Sequence, residues 1–255
     1  MARELSVRIP GDFYIPTVAK NVLDRVYLGL HPKDSMYDNP VHYLQCGASA
    51  YRVIAANVQL AEQADVAKIL DFGAGAGRVA RWLCAGFPHA EVTVTDLGEE
   101  YVRWCEQCLG TKGWVSDADI HALHAPDTYD VIWAGSVLTH LSAERSAELL
   151  KKFWQWTNVQ GLVIATTHGR AALQLGDTGR IKYIDDYLWT GLKADYLRNG
   201  FGYCDYEAQK GYGISLTSLS WIVDFVETLP NVRLVGLGEN VWDWHQDVFA
   251  IQKIS

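Results

Sequence analysis

Three closely spaced glycines follow a run of apolar residues at positions 69–78, in the segment ILDFGAGAGR. A loop of this kind lets the chain turn sharply from a strand into a helix and lets the backbone approach a ligand closely. A second apolar run, EVTVTD, ends in Asp96. A carboxylate at that place can accept hydrogen bonds from two ribose hydroxyls. The pattern therefore predicts a nucleotide or nucleoside ligand.

The spacing of the glycines and a second carboxylate narrow the choice of ligand. The dinucleotide-binding fingerprint needs its third glycine one position later than Gly77, where this chain has Arg78. Asp71 ends the strand just before the first glycine. Its charge would repel a pyrophosphate but attract an ammonium or sulfonium group. These residues favour a ligand that carries a ribose and a positive charge.

Three histidines are candidates for a group that accepts a proton from a substrate. His168 follows a predicted strand at the edge where open α/β sheets bind ligands, which makes it the first choice. His140 follows the preceding strand but could equally cap the next helix, and His245 begins the last strand and could be structural. Tyr212 and the aromatic residues before it could form an acceptor pocket or a packed lid.

A fourth group of residues imitates a metal site. Cys105-x-x-Cys108 is followed by His121-x-x-His124. The cysteines fall on a predicted amphipathic helix inside a complete α/β unit, and the histidines are closer together than those of zinc fingers. We expect no metal site. The odd number of scattered cysteines also predicts no disulfide framework.

From residue 67 onward, apolar runs alternate with amphipathic segments. The sequence predicts strands at VAKILDF, EVTVTD, GWVS, YDVIWAG and GLVIATT. It predicts helices at GRVARWLCAGF, EEYVRWCEQCLG and SAERSAELLKKFWQW, with Gly110 as a C-cap and Ser142 as an N-cap. Strands that alternate with helices in this way predict a parallel, doubly wound sheet.

The two ends of the chain follow other patterns. Residues 16–30 and 48–63 are predicted amphipathic helices, joined by the turn-rich segment HPKDSMYDNP. Residues 169–216 are less regular and rich in aromatic side chains. Beyond them, TSLSWIVDFVETL is a predicted helix, and NVRLVGLGE and HQDVFAIQK are predicted to form an antiparallel hairpin. We divide the chain into a helical N-terminal cap, residues 1–66, and a core, residues 67–255, that contains the insertion.

The glycine-rich segment DFGAGAG resembles the D-x-G-x-G-x-G motif of class I S-adenosylmethionine-dependent methyltransferases. EVTVTD is similar to their second motif, and YDVIWAGSVLTHL resembles the stretch at their fourth strand. Together with TTHGR and YGISLTS, that stretch also resembles a bacterial subgroup often assigned to small-molecule or sugar methylation. The resemblance covers residues 67–255. It implies an α/β, Rossmann-like sheet of seven mostly parallel strands with an antiparallel C-terminal hairpin and a helical N-terminal cap.

The resemblance also implies where the cofactor, S-adenosylmethionine, would lie. The glycine loop would line it, with Asp71 near its amino-acid end, and Asp96 would bind the ribose hydroxyls. A helix from Ala48 would cover it. The remaining expected contacts are in the loop (Gly73, Ala74, Gly75, Gly77), at the adenine (Leu97, Asp117, Ala118), at the methionine part (Ala134, Ser136) and just before the covering helix (Tyr43, Gly47).

The expected reaction is O-methylation of a sugar or another small hydroxyl-bearing metabolite, with His168 as general base. N- or C-methylation of a small metabolite and a non-catalytic cofactor-binding subunit are the alternatives. No D/N-P-P-Y/F motif follows the fourth strand, which disfavours methylation of nucleic acids. No carboxylate cluster in that region supports a catechol-type metal site.

The bulk composition excludes several classes of protein. The net charge of −8 disfavours nucleic acid and anionic membranes as partners. The sequence has no signal-peptide core and no apolar run long enough to span a membrane. We expect a cytoplasmic protein that acts on a small molecule. Its oligomeric state stays open, with a homodimer as one option.

Overall fold

The computed structural model describes residues 3–4 and 18–255. Two short 3₁₀ turns, Ile120–Ala122 and Leu138–His140, lie between the regular elements. In chain order these elements are β1 (Arg3–Glu4), α1 (Lys20–Leu23), β2 (Gly29–Leu30), α2 (Pro40–Leu60), β3 (Lys68–Phe72), α3 (Ala80–Gly86), β4 (Glu91–Asp96), α4 (Glu99–Leu109), β5 (Lys112–Val115), β6 (Tyr129–Ala134), α5 (Ala143–Trp156), β7 (Thr157–His168), α6 (Arg170–Asp177), α7 (Asp186–Asn199), β8 (Phe201–Tyr206), β9 (Gln209–Thr217), α8 (Leu219–Glu227), β10 (Val232–Trp242) and β11 (Gln246–Lys253).

Seven strands form the central sheet in the order β10-β11-β7-β6-β3-β4-β5. The pairs from β7 to β5 are parallel, whereas β11 is antiparallel to both β7 and β10. This topology confirms the predicted fold class, including the antiparallel C-terminal hairpin. The strand order reverses direction beside β3, so the carboxyl ends of β3, β4 and β6 meet where sheets of this kind bind ligands.

The sheet is buried on both faces because successive residues of its strands point to opposite sides. Leu70 and Ile132 pack in one core cluster with the inner faces of α5 and α8. Their neighbours Ile69 and Val131 pack in another cluster with α2 and α3. The N-terminal helix α2 therefore covers part of the sheet. The domain boundary at residue 66 stays a prediction, and residues 5–17 of the predicted cap lie outside the described residues.

The N-terminal helix predictions were wrong in their boundaries. The helix expected at residues 16–30, of which 16–17 lie outside the described residues, is reduced to the four residues of α1, and β2 follows it. The second helix begins at Pro40, well before residue 48. The side chain of Asn39 accepts a hydrogen bond from the backbone N–H of His42 at 2.8 Å, and Pro40 occupies the first helical position. These two residues start the helix.

The region predicted to be less regular, residues 169–216, is built from regular elements. It contains α6, α7 and the antiparallel hairpin of β8 and β9, which forms a separate two-stranded sheet. The hydroxyl of Ser215 on β9 donates to the carbonyl oxygen of Leu138 at 2.9 Å. This contact helps to hold the hairpin against the carboxyl edge of the central sheet.

Two predicted helix ends are confirmed. Gly110 ends α4 in the left-handed conformation with φ at 70°. The side chain of Ser142 accepts a hydrogen bond from the backbone N–H of Arg145 at the start of α5. In the described part of the chain, no helix is both long enough and apolar enough to cross a membrane.

Candidate active site

A cavity of about 600 Å³ lies at the carboxyl edge of β3, β4, β5 and β6. Its walls come from the glycine loop, the segments that follow three further strands, the β8–β9 hairpin and the loop before α2. The fold therefore brings together residues that are far apart in the sequence. The predicted site residues that line it are Asp71, Gly73, Ala74, Gly75, Asp96, Leu97, Asp117, Ala118, Ser136, His140 and Tyr212.

Two glycines of the loop have different structural roles. Gly75 has φ at 52°, and a Cβ atom added there would project into open space in the cavity wall. Gly77 has φ at 77°, and a Cβ atom there would lie 2.9 Å from the sulfur of Cys105 on α4. Gly75 therefore leaves room for a ligand. Gly77 allows the loop to pack on α4 and does not line the cavity.

Asp96 holds the loop in place as well as facing the cavity. One carboxylate oxygen accepts the backbone N–H of Gly75 at 2.9 Å. The other accepts the backbone N–H of Gly98 at 2.9 Å. Each carboxylate oxygen can accept more than one hydrogen bond. Asp96 can therefore bind ligand hydroxyls while it keeps its contact with the loop.

Asp71 is a buried carboxyl in the wall of the cavity. Only 2% of its surface is exposed, and its Oδ2 atom has no hydrogen-bond partner among the described residues. Burial raises the pKa of this carboxyl to about 7, and the nearby charge of Asp96 adds to the shift. A cation in the cavity would favour the ionised form. The site therefore suits a positively charged ligand group beside Asp71.

Arg78 adds a positive charge to the same cavity. Its guanidinium lies over the indole of Trp242, 5.8 Å from the ring centroid, and forms no ion pair with a described residue. A carboxyl and a guanidinium in the wall of one cavity match the ammonium and carboxylate of an amino acid. Asp71 and Arg78 can thus accommodate a zwitterionic group next to the glycine loop.

Ser136 is held in a strained conformation where β6 ends. Its φ is 59°, a left-handed value that costs a non-glycine residue roughly 1–2 kcal/mol. Its backbone N–H donates to the hydroxyl of Thr166 at 2.8 Å, and that hydroxyl donates to the Gln246 side-chain oxygen at 2.6 Å. The Gln246 amide donates back to the Ser136 hydroxyl at 2.5 Å. This closed ring fixes the backbone of Ser136 at the cavity.

His140 lies in the cavity wall with its ring orientation fixed. Its Nδ1 atom is 2.8 Å from the carbonyl oxygen of Gly213, and its ring stacks on Tyr212 with 4.8 Å between the centroids. A carbonyl can only accept, so Nδ1 carries the hydrogen and Nε2 is the bare acceptor. Burial lowers the pKa of His140 below its usual value of 6.5. The ring is therefore neutral near pH 7 and able to accept a proton.

His168 and His245 stack on each other outside the residues that line the cavity. Their ring centroids are 5.2 Å apart, and 5% of the surface of His168 is exposed. Burial lowers the pKa of His168 to about 3, and the nearby rings of His245 and His140 add to the shift. Nδ1 of His245 is 2.6 Å from the carbonyl oxygen of Asp243. The catalytic roles of these two histidines stay predictions.

Comparisons with known proteins connect this geometry with a protein family. Residues 69–161 match the family model described as a methyltransferase domain. Over 100 residues the chain is 31% identical to the human N-terminal Xaa-Pro-Lys N-methyltransferase 1. That match covers 37% of this chain and 44% of the human protein, so the chain spans less than half of this curated relative.

The fold is shared with solved methyltransferase structures. The plantazolicin methyltransferase BpumL, solved in complex with SAH, is 14% identical with a TM-score of 0.57, over 84% of this chain and 85% of the other. The magnesium protoporphyrin IX methyltransferase ChlM of Synechocystis PCC 6803 is 12% identical with a TM-score of 0.55, over 92% and 94%. Residues 69–161 therefore form a methyltransferase domain, and the chain has the fold of solved S-adenosylmethionine-dependent methyltransferases.

The cavity residues fit the cofactor of this domain, S-adenosylmethionine. When it is bound, S-adenosylmethionine supplies an activated methyl group. Asp96 would hold the ribose hydroxyls, and Gly75 leaves space for the cofactor in the wall. Asp71 and Arg78 would face the ammonium and the carboxylate of the methionine part. The unpartnered oxygen of buried Asp71 is the observation on which this fit rests.

Several predicted contacts of the methyltransferase domain lie elsewhere in the structure. Ala134 is buried in β6 and does not line the cavity. Tyr43 and Gly47 lie inside α2, not before a covering helix, and a Cβ atom on Gly47 would come within 2.4 Å of the Trp82 ring. Both residues pack against neighbouring parts of the protein. Residues 34–36, in the loop before α2, line the cavity instead.

Sequence reasoning missed other residues of the cavity. In the sequence, Arg78 marks a departure from the dinucleotide fingerprint. Its positive charge and the carboxylate of Asp71 also flank the glycine loop, which is a signal for a zwitterionic ligand. Trp133 and Trp242 also line the cavity and meet edge to face at 5.3 Å. No local pattern marks them, because one lies in β6 and the other in β10.

The cysteines and histidines whose spacing is similar to that of a zinc site, Cys105, Cys108, His121 and His124, are not arranged as a metal site in the structure. Cys105 is buried, and its sulfur is 3.8 Å from the carbonyl oxygen of Gly75 under the glycine loop. Burial raises the pKa of its thiol, which disfavours the thiolate that binds metals. Among the residues that the structure describes, no group of three or more His, Cys, Asp or Glu side chains is arranged to hold a metal ion.

Proposed function

We propose that the protein transfers the methyl group of S-adenosylmethionine to a hydroxyl oxygen of a small-molecule acceptor, a sugar or another hydroxyl-bearing metabolite. His140 would accept the proton of that hydroxyl. The observation that carries the proposal is the bond from His140 Nδ1 to the Gly213 carbonyl, because it leaves Nε2 as a bare acceptor on a cavity-lining residue.

The acid–base properties of His140 suit a hydroxyl acceptor. An alcohol is a weak nucleophile until its proton is removed, and general-base catalysis of such a step contributes typically 10²–10⁴-fold. The neutral imidazole takes up the proton at Nε2, and the Gly213 carbonyl oxygen then stabilises the resulting cation through Nδ1–H. The hydroxyl of Tyr206, 3.3 Å from the same nitrogen, adds a polar neighbour.

The β8–β9 hairpin would exclude water from the reacting groups. It contributes residues 209–212 to the cavity wall, and Tyr212 stacks on His140. Alignment of two reactants in an enclosed site can lower the activation barrier by several kcal/mol. In this proposal, the hairpin aligns the acceptor hydroxyl with His140 and keeps bulk water away.

His140 replaces His168 as our preferred base for two reasons. His168 does not line the cavity, and its pKa of about 3 makes it a poor proton acceptor near pH 7. The catalytic assignments of His168 and His245 remain predictions that a variant can test.

A second candidate is N-methylation, for which the sequence likeness to the human N-terminal Xaa-Pro-Lys N-methyltransferase 1 is the specific observation. A protonated amine must lose a proton before its nitrogen can attack, so a neutral His140 would serve there too. The acidic residue Asp34 in the cavity wall would also attract a cationic acceptor. The bacterial sugar-type subgroup stays part of the first proposal.

An acceptor screen tests the proposal and separates it from the alternatives. Calorimetric titration with S-adenosylmethionine comes first, and failure of the wild type to bind would remove the basis of both candidates. The protein is then incubated with the cofactor and matched sets of sugars, phenols, amines and short peptides, and products are detected by mass spectrometry. We expect methyl ethers. Products methylated on nitrogen alone would support the second candidate, and tight binding with no product from any set would support a non-catalytic subunit.

A further inference from the structure

A buried arginine outside the cavity connects the N-terminal segment to the glycine loop. Arg81 lies in the first turn of α3, and 1% of its surface is exposed. The hydrogen-bond partners of its guanidinium are backbone carbonyls and one hydroxyl, all of them neutral. A charge buried among neutral groups is costly, so its partners must be placed to satisfy it.

Every N–H group of the guanidinium has an acceptor. An arginine offers five such donors in a fixed plane. Nε donates to the carbonyl of Gly77 at 2.9 Å, and Nη1 donates to the carbonyls of Tyr27 and Gly29, both at 2.9 Å. Nη2 donates to the carbonyl of Ala76 at 3.3 Å and to the hydroxyl of Tyr43 at 3.2 Å. The acceptors come from three separate segments: the stretch before α2, the glycine loop and α2 itself.

Tyr43 extends this network to the cavity wall. Its ring lies 5.1 Å from the guanidinium carbon of Arg81, and its hydroxyl donates to Asp34 Oδ2 at 2.7 Å. Burial raises the pKa of Tyr43, so the hydroxyl keeps its proton and remains a donor. Asp34 and its neighbours Ser35 and Met36 line the cavity. One chain of contacts thus runs from the glycine loop through Arg81 and Tyr43 to the loop before α2.

We propose that Arg81 is a positioning residue for the cofactor: its guanidinium holds residues 27–36 against the glycine loop and so closes one side of the cofactor cavity. Arg81 touches neither the cavity nor the reacting atoms. It acts through backbone carbonyls on both sides and through Tyr43. The inference rests on the cofactor cavity and is independent of which acceptor is methylated.

Substitutions at Arg81 and Tyr43 remove the network in steps. Arg81→Met keeps much of the side-chain volume and loses all five donors, and Arg81→Lys offers three donors without the planar fork. Tyr43→Phe keeps the ring but removes both the bond to Asp34 and the acceptor of one Arg81 N–H group. Arg103→Met is the matched control, because Arg103 is an exposed arginine on α4 whose partners among the described residues are Glu99 and Glu106.

Two measurements separate positioning from a general loss of structure. Calorimetry gives the Kd for S-adenosylhomocysteine, and hydrogen exchange of the ligand-free protein reports residues 27–36 and, as a reference, β6 and β7. We expect Arg81→Met to weaken binding about tenfold or more and Arg81→Lys to weaken it less. Tyr43→Phe should weaken it about threefold, and Arg103→Met should bind like the wild type. Exchange should rise at residues 27–36 and stay unchanged in β6 and β7.

Unchanged affinity and unchanged exchange at residues 27–36 in folded Arg81→Met would overturn the proposal. If Arg81→Met does not fold, Tyr43→Phe decides the question by the same two readouts. An increase in exchange throughout the sheet would show a purely structural role and would also overturn it. A wild type that fails to bind S-adenosylhomocysteine contradicts the cofactor assignment itself, which is a separate failure from that of the positioning role.

Discussion

The cofactor region and the acceptor region of this domain are assembled in different ways. The cofactor region is built from neighbouring segments, since the loop of residues 73–77 follows β3 and Asp96 ends β4 beside it. Its main contacts are local, such as the bond from Gly75 to Asp96 across 21 positions. The acceptor region joins His140 to Gly213 across 73 positions and Ser215 to Leu138 across 77.

Because the two regions are assembled differently, we expect substitutions in them to have different effects. The cofactor region depends on backbone conformation and on a few charges, so changes there should alter affinity. The acceptor region depends on side chains that orient one another, so changes there should alter turnover and its pH dependence. Variants in each region, measured by both readouts, test whether the two functions are separable.

The largest expected effect is in the acceptor region. His140→Gln should lower turnover about 100-fold or more, because it removes the proton acceptor. The Kd for S-adenosylmethionine should change little. For the wild type, kcat/KM should rise with pH to a plateau, with a midpoint below 6.5 because burial lowers the pKa of His140. The variant should lose this acid limb.

His168→Gln is the matched control for that prediction, since both changes replace an imidazole next to β9 with the same side chain. It should keep both the acid limb and most of the turnover. If instead His168→Gln abolishes turnover and His140→Gln does not, His168 is the base, and the boundary between the two regions lies elsewhere.

The local character of the cofactor region explains why its sequence is informative. The strand–loop–helix order around residues 69–86, the position of Asp96 at the end of β4 and the cap residues Gly110 and Ser142 are contiguous patterns, and the structure confirms each of them. The role of Asp96 in binding the ribose stays a prediction. The start of α2 was missed although Asn39 and Pro40 signal it. Asn and Pro are common both in turns and at the first positions of helices, so the turn-rich segment does not by itself show that a helix begins there.

The acceptor region could not be predicted in the same way. Which of three histidines faces the cavity depends on the pairing of β7 with β11 and on where the β8–β9 hairpin lies. The sequence shows neither. The tautomer of His140 is fixed by a carbonyl 73 positions away, and the pKa of His168 by burial that only the folded chain creates. Candidate residue types could be named, but their roles could not be ranked.

A smaller effect, on the affinity for S-adenosylmethionine, is expected in the cofactor region. Gly75→Ala and Gly110→Ala place the same side chain on left-handed backbones with φ at 52° and 70°, and in both the new Cβ meets no atom within 4 Å. Each should cost about 1 kcal/mol of folding free energy. Of these two glycines, Gly75 lines the cavity and Gly110 does not. We therefore expect Gly75→Ala to raise the Kd for S-adenosylmethionine about tenfold, while Gly110→Ala binds normally; equal affinities by calorimetry would contradict the role of Gly75.

A further effect concerns stability, and it tests whether His168 is a buried neutral side chain. In the unfolded chain its pKa is near 6.5, whereas burial lowers the folded value to about 3. Between these values the unfolded state binds a proton that the folded state does not, so the folded protein loses stability as the pH falls below 6.5. The loss from this one group is at most about 1.4 kcal/mol per pH unit.

His168→Gln should remove this pH dependence. The variant has lost packing and should be less stable than the wild type at pH 7, but the gap in free energy of unfolding should narrow by about 2 kcal/mol at pH 5. Urea unfolding at the two pH values measures the gap. A gap of constant size would mean that His168 is protonated, or solvated, in the folded protein, and would restore it as a candidate base.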